Sequence, residues 1–170
     1  MTDFFIKFKN FGLLEVLVTF SAVYVVSMLL WTASTRSAVE EKANTVKLNH
    51  KKIVDFINNE INKCDKGDTN SKTKWGDLCK EEWLSDKIIK YINENIKISN
   101  PYSSNFEIVK QAQDPRLQAE GKAGQSTNMG VIFLSSKNFS SEAGSEWVIG
   151  TCIKSPCVAA GNNELTSVYR

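Results

Sequence analysis

A run of 21 residues from Phe11 to Trp31 constrains this chain more than any other part of its sequence. Sixteen of the 21 residues are hydrophobic. At about 1.5 Å of rise per residue, a helix of this length measures roughly 30 Å, the thickness of the hydrocarbon core of a bilayer. Lys7 and Lys9 precede the run and the first basic residue after it is Arg36, so the positive-inside rule places the amino end in the cytoplasm. The run therefore predicts a single-pass membrane segment with the bulk of the chain outside.

Composition limits the rest of the chain to one modest domain. The 170 residues are 42% hydrophobic and carry 21 Lys and Arg against 19 Asp and Glu, a formal net charge of +2. This composition excludes an intrinsically disordered chain, a polytopic membrane protein and a pair of large domains. A cleavable secretory signal is an alternative for the apolar run, but its apolar region usually spans about 7 to 15 residues and ends in a small-x-small cleavage site.

Glu15 distinguishes the apolar run from an ordinary membrane anchor. A carboxylate deep in a bilayer costs about 2 to 3 kcal/mol even on lenient insertion scales. The run contains no Lys, Arg or His that would neutralise this charge. We therefore expect the partner of Glu15 to come from another molecule, or from a new amino terminus created by cleavage next to Phe11.

The stretch KNFGLLEVLVTF resembles the amino terminus of type IV pilins and pseudopilins, with a short polar leader, a Phe, a Glu four residues later and a long apolar helix. In that family a prepilin peptidase cuts before the Phe, the new amine is methylated, and the Glu pairs with the amine of a neighbouring subunit. By position, the resemblance implies leader cleavage between Asn10 and Phe11, N-methylation of Phe11 and an assembly role for Glu15. The family usually has Gly before the cut, where this chain has Asn10.

The membrane helix is expected to continue beyond the bilayer. Neither Pro nor Gly occurs between Gly12 and Gly67, so nothing in the sequence ends the helix at the interface. Past Ser37, apolar positions recur every three or four residues and form one face of an α-helix, here called the helix stripe: Val39, Ala43, Val46, His50, Ile53, Ile57 and Ile61. The prediction is one helix of about fifty residues, transmembrane over 11–31 and soluble over 32–62. On this stripe, we expect the single histidine, His50, to be partly buried and hydrogen-bonded.

The remaining residues divide into a variable region over 63–105 and a sheet region over 106–170. The first combines a polar loop with helical periodicity between Glu81 and Lys97, which predicts a second, shorter helix. Short β-rich runs joined by turns follow, at 106–112, 129–135, 147–153 and 165–169. They predict a three- or four-stranded antiparallel sheet with one face available to bury the helix stripe. The predicted fold class is α+β, a long amino-terminal helix packed on a small antiparallel sheet, which is pilin-like.

Four cysteines follow the apolar run, and a chain that crosses the membrane carries them in an oxidising compartment. They are Cys64, Cys79, Cys152 and Cys157. Three connectivities are possible, and nearness in sequence favours pairing of Cys152 with Cys157. A bridge between Cys64 and Cys79 would stabilise the fold by about 3 kcal/mol on the loop-entropy model.

The sequence predicts no enzymatic chemistry. It contains no glycine-rich phosphate loop, no HExxH motif and no GxSxG motif. With a single histidine and no second ligand cluster, we expect neither a catalytic residue nor a bound metal or cofactor.

The resemblance implies a structural subunit of a type IV pilus-like filament that serves adhesion, motility or DNA uptake. The implied partners are other copies of the chain, a prepilin peptidase and the pilus assembly machinery of the inner membrane, where the chain resides before it enters the extracellular pilus. Two alternatives stay open: a type II secretion pseudopilin, and a single-pass anchored periplasmic binding or sensory module. Nucleic-acid binding has weaker support, since no block of like charges occurs and the exposed cations are scattered: Lys137, Lys154 and Arg170.

Overall fold

The computed structural model describes residues 12–67, 70–104, 107–122, 128–138 and 145–170. The chain separates into two compact units, Met1–Glu40 and Glu41–Arg170. Three helices lie within the described residues: α1 Leu13–Lys66, α2 Ser85–Asn95 and α3 Pro115–Ala119. With its 54 residues, α1 confirms the predicted long helix.

Four strands form one sheet in the order β1-β2-β3-β4. Their bounds are β1 Val109–Gln111, β2 Ile132–Asn138, β3 Ser145–Cys152 and β4 Asn163–Tyr169. β3 pairs in antiparallel fashion with β2 on one side and with β4 on the other, as predicted. β1 pairs with β2 in parallel, with Val109 opposite Ile132. The sheet is therefore mixed. It is antiparallel, as predicted, except for the parallel pair of β1 and β2.

The connection between β1 and β2 explains their parallel pairing. It comprises residues 112–131 and includes α3, and parallel strands require a crossover of this length. Asp114 caps α3, because its Oδ1 accepts hydrogen bonds from the backbone N–H groups of Arg116 at 2.9 Å and Leu117 at 3.4 Å. Pro115 takes the first helical position, where its missing N–H is no loss. Asp114 and Pro115 therefore begin a helix within a connection that the sequence indicated as a turn.

Gly150 of β3 allows α3 to approach the sheet closely. A Cβ atom at this position would lie 2.3 Å from the carbonyl oxygen of Pro115. Since no side chain fits in that space, the helix packs directly on the backbone of the strand.

The core of the Glu41–Arg170 unit forms where the helix stripe meets one face of the sheet. Six of the seven stripe residues, from Ala43 to Ile61, are buried. Ile53 and Ile57 are fully buried in one cluster with Trp147 and Ile149 of β3. Val39, the first residue of the predicted stripe, is 45% exposed. The stripe is shorter than predicted because periodicity identifies a helix face but does not show how far the partner surface extends.

The segment between Cys64 and Cys79 is held against α1. The two cysteines are joined by a disulfide. Glu60 of α1 is buried, and its Oε2 accepts a hydrogen bond from the backbone N–H of Lys74 at 3.0 Å. Next to it, the ring of Trp75 packs edge-on against Trp83, with ring centroids 4.8 Å apart. A segment that the sequence indicates as a polar loop thus contributes a tryptophan to the core.

Candidate functional site: the apolar surface of the amino-terminal helix

The first half of α1 exposes an extensive apolar surface. Twelve large hydrophobic side chains between Leu14 and Trp31 are each 50% to 75% exposed. The most apolar 18-residue window of the helix has a mean hydropathy of 2.0, and none of it is buried within the chain. Among the described residues, α1 is the one helix long and apolar enough to cross a membrane. A helix that is hydrophobic around its circumference is stable in lipid or against other protein, and not in water.

Hydroxyl side chains in this half are satisfied by the helix itself. Thr19, Ser21 and Ser27 donate hydrogen bonds to backbone carbonyls three or four residues earlier, at 2.7 to 3.0 Å. Thr32 and Thr35 do the same in the following turns. Because these donors already have acceptors, the hydroxyl groups can enter apolar surroundings with little loss of hydrogen bonding.

Glu15 lies in the first turn of α1 and is exposed. Its Oε2 accepts a hydrogen bond from the backbone N–H of Gly12 at 3.1 Å. This contact is one half of a capping box, in which the third helical residue reaches back to the residue that precedes the helix. The helix dipole also favours a negative charge at this end.

The Glu15 carboxylate can accept further hydrogen bonds. A carboxylate accepts about four hydrogen bonds, and the Gly12 contact uses one. In the described part of the chain, no cation forms an ion pair with Glu15. The residues predicted for leader cleavage and methylation, Asn10 and Phe11, lie outside the described residues.

The four cysteines form two disulfides. Cys64 pairs with Cys79, and Cys152 pairs with Cys157. Both bridges lie in the Glu41–Arg170 unit. The two bridges stabilise this unit by restricting its unfolded state.

Arg170 is not the exposed cation that the sequence indicated. Its guanidinium carbon lies 4.1 Å from the ring centroid of Trp83, and Nη1 donates to the carbonyl oxygen of Glu81 at 3.0 Å. Burial lowers the pKa of Arg170, and the nearby Asp65 partly opposes that effect. A guanidinium that stacks on an aromatic ring gains cation–π energy and is less accessible to phosphate.

The other two cations give little support to a nucleic-acid surface. Lys154 is half-buried, and the side chain of Lys137 lies outside the described residues. Because Arg170 is stacked on Trp83, only two of the three cations that the sequence indicated remain as candidates for contact with nucleic acid.

His50 is buried more deeply than the sequence predicted, at 4% exposure. Its Nδ1 lies 2.9 Å from the hydroxyl of Thr151 on β3, and its Nε2 lies 2.9 Å from the hydroxyl of Thr166 on β4. Burial lowers the pKa of His50 to about 4. A neutral imidazole therefore joins the long helix to two strands, which is a structural role.

Sequence reasoning missed two buried carboxylates. Glu60 follows Ile57 by three residues and precedes Cys64 by four, so the helical period places it on the buried face. Asp77 is also buried and pairs with Lys87 of α2. No periodicity marks Asp77, because it lies in the irregular segment before Cys79. Among the described residues, no group of three His, Cys, Asp or Glu side chains is arranged to hold a metal ion.

Comparison with known proteins gives no match: no protein-family model, no curated protein and no solved structure is significantly similar to the chain. In the absence of a match, the protein is described by its architecture. The chain combines a long amino-terminal helix, whose first half exposes an apolar surface, with a disulfide-bonded α+β unit.

Proposed function

We propose that the chain is a structural subunit of a type IV pilus-like filament, which it enters through the exposed apolar half of α1. The observation that carries the proposal is the carboxylate of Glu15 at the start of an apolar helix surface, with no cation paired to it in the described part of the chain. The resemblance of KNFGLLEVLVTF to pilin amino termini supplies the partner, the freed amine of Phe11 on a neighbouring copy.

Two environments suit this helix at different stages. Lipid covers the apolar surface while the subunit is stored in the inner membrane. In the filament, helices of other copies replace lipid, and packing together with interhelical polar contacts drives the exchange. Pairing of the Glu15 carboxylate with an ammonium group offsets the cost of burying that carboxylate, and it also sets the axial register between copies.

The test compares two substitutions at Glu15. Glu15→Gln retains a carbonyl oxygen that accepts the Gly12 hydrogen bond, but it removes the charge. Glu15→Asp retains the charge on a shorter side chain. We expect Glu15→Gln to accumulate in the membrane at the wild-type level and to form no filaments that can be sheared from the cell surface, whereas Glu15→Asp retains part of the wild-type yield.

Mass spectrometry of the mature amino terminus completes the test. A methylated Phe11 is the expected result. A chain that begins at Met1 or Thr2 and tolerates Glu15→Gln would contradict the proposal, and would instead identify a single-pass anchored periplasmic module. The abundance of the chain in sheared filaments distinguishes a major subunit from a minor one or a secretion pseudopilin.

A further inference from the structure

Tyr24 places a hydroxyl group in the middle of the apolar surface. Its side chain is 64% exposed, and its hydroxyl has no hydrogen-bond partner among the described residues. The neighbouring hydroxyls of Thr19, Ser21 and Ser27 differ, because each donates to a carbonyl of its own helix. A phenol removed from water without a partner costs free energy, so Tyr24 needs an acceptor from outside its own chain.

Lipid headgroups do not provide that acceptor. Tyr24 lies seven residues before Trp31, which corresponds to about 10 Å below the outer end of the apolar run. Side chains on a helix lean toward its amino terminus, so the phenol of Tyr24 points away from this nearer interface. A membrane-spanning α1 therefore holds the hydroxyl within the hydrocarbon layer.

Glu15 and Tyr24 lie on opposite faces of α1. Their separation of nine positions advances the helix by about 13 Å and rotates it by about two and a half turns. One face of the helix thus presents a carboxylate, and the opposite face presents a phenol donor. Complementary groups on opposite faces allow each copy to contact one neighbour through Glu15 and another through Tyr24, which is the head-to-tail arrangement that produces open filaments.

We propose that the hydroxyl of Tyr24 in one copy donates a hydrogen bond to the carboxylate of Glu15 in a neighbouring, parallel copy. This proposal rests on the proposed function, and it adds a second pair of interacting groups to the same assembly surface. The carboxylate accommodates the Gly12 N–H, a neighbouring ammonium and the phenol at once, because its two oxygens offer about four acceptor positions. The contact sets an axial offset of roughly 10 to 14 Å between the two copies, from the rise of the helix and the lean of the two side chains.

The first experiment removes the hydroxyl alone. Tyr24→Phe is expected to reduce the yield of sheared filaments by about tenfold, since a hydrogen bond to a charged group is lost at every contact between copies. The matched control, Ser27→Ala, also removes one hydroxyl from the apolar half, but that hydroxyl is bonded within its own helix. We expect wild-type yield from the control and unchanged membrane levels of both variants.

The second experiment locates the neighbour of residue 24. A photoreactive benzoylphenylalanine at position 24 is expected to crosslink to residues 12–19 of another copy, as mapped by mass spectrometry of assembled filaments. Crosslinks to lipid alone, to another protein or to a distant part of the helix would overturn the contact, as would normal filaments from Tyr24→Phe.

The proposed function and this contact fail in different ways. Filaments that need the charge of Glu15 but form normally with Tyr24→Phe would refute the contact and leave the function intact. A wild-type chain that keeps its leader and forms no filaments would refute both.

Discussion

Acidification should destabilise the Glu41–Arg170 unit through His50. Burial lowers the pKa of this imidazole from 6.5 to about 4. Between these values the unfolded chain binds a proton that the folded chain does not, so the free energy of unfolding falls as the pH decreases. The contribution of the neutral imidazole to the free energy of unfolding is complete above about pH 6.5 and is lost by about pH 4. This contribution is about 3 kcal/mol, from the difference between the two pKa values.

Urea unfolding of the detergent-solubilised full chain provides the assay. The fluorescence of Trp83 and Trp147, both fully buried beside the helix stripe, reports the loss of the core. The midpoint should decrease steadily from pH 7 to pH 4. Carboxylates that titrate in the same range affect the wild type and a His50→Gln variant alike, so the difference between the two proteins isolates the imidazole.

The His50→Gln variant decides the outcome. An amide does not titrate in this range, and it retains one donor and one acceptor for the two threonine hydroxyls. We expect the variant to be less stable than the wild type at pH 7 and to approach or exceed it at pH 4. A stability difference that stays constant from pH 7 to pH 4 would refute the assignment of the pH dependence to His50.

Two further predictions concern the architecture of the same unit. Gly150→Ala should lower the free energy of unfolding by about 1 to 3 kcal/mol, because the new Cβ meets the Pro115 carbonyl oxygen 2.3 Å away. Gly12→Ala should leave the urea midpoint of this unit unchanged, because Gly12 lies outside the unit and a Cβ there has no atom within 4 Å. Replacing both Cys64 and Cys79 with Ser removes a bridge between residues 15 positions apart and should cost about 3 kcal/mol; an unchanged urea midpoint would show that the bridge does not constrain the unfolded chain.

Much of the architecture followed from local patterns. The absence of Pro and Gly after Gly12 predicted a long helix, and the structure extends it from Leu13 to Lys66. The three- and four-residue spacing from Ala43 to Ile61 identified the buried face of that helix. These features depend on neighbours along the chain, which is why they can be predicted without knowledge of the tertiary fold.

Other features depend on which segments meet in space. The parallel direction of β1 requires α3 to cross the sheet, and this crossing requires Gly150 to leave room for Pro115. Arg170 became a cation–π partner because the last strand ends beside Trp83. No periodicity in the sequence records such contacts, since the residues involved lie far apart along the chain.

The candidate assembly surface combines both kinds of information. The apolar run and the isolated carboxylate of Glu15 were evident from the sequence, because charge and hydropathy are properties of the residues themselves. The structure decided that the hydroxyls of Thr19, Ser21 and Ser27 are internally bonded and that the hydroxyl of Tyr24 is not. Hydrogen-bond partners depend on the positions of atoms in three dimensions, so they emerge when the chain has folded.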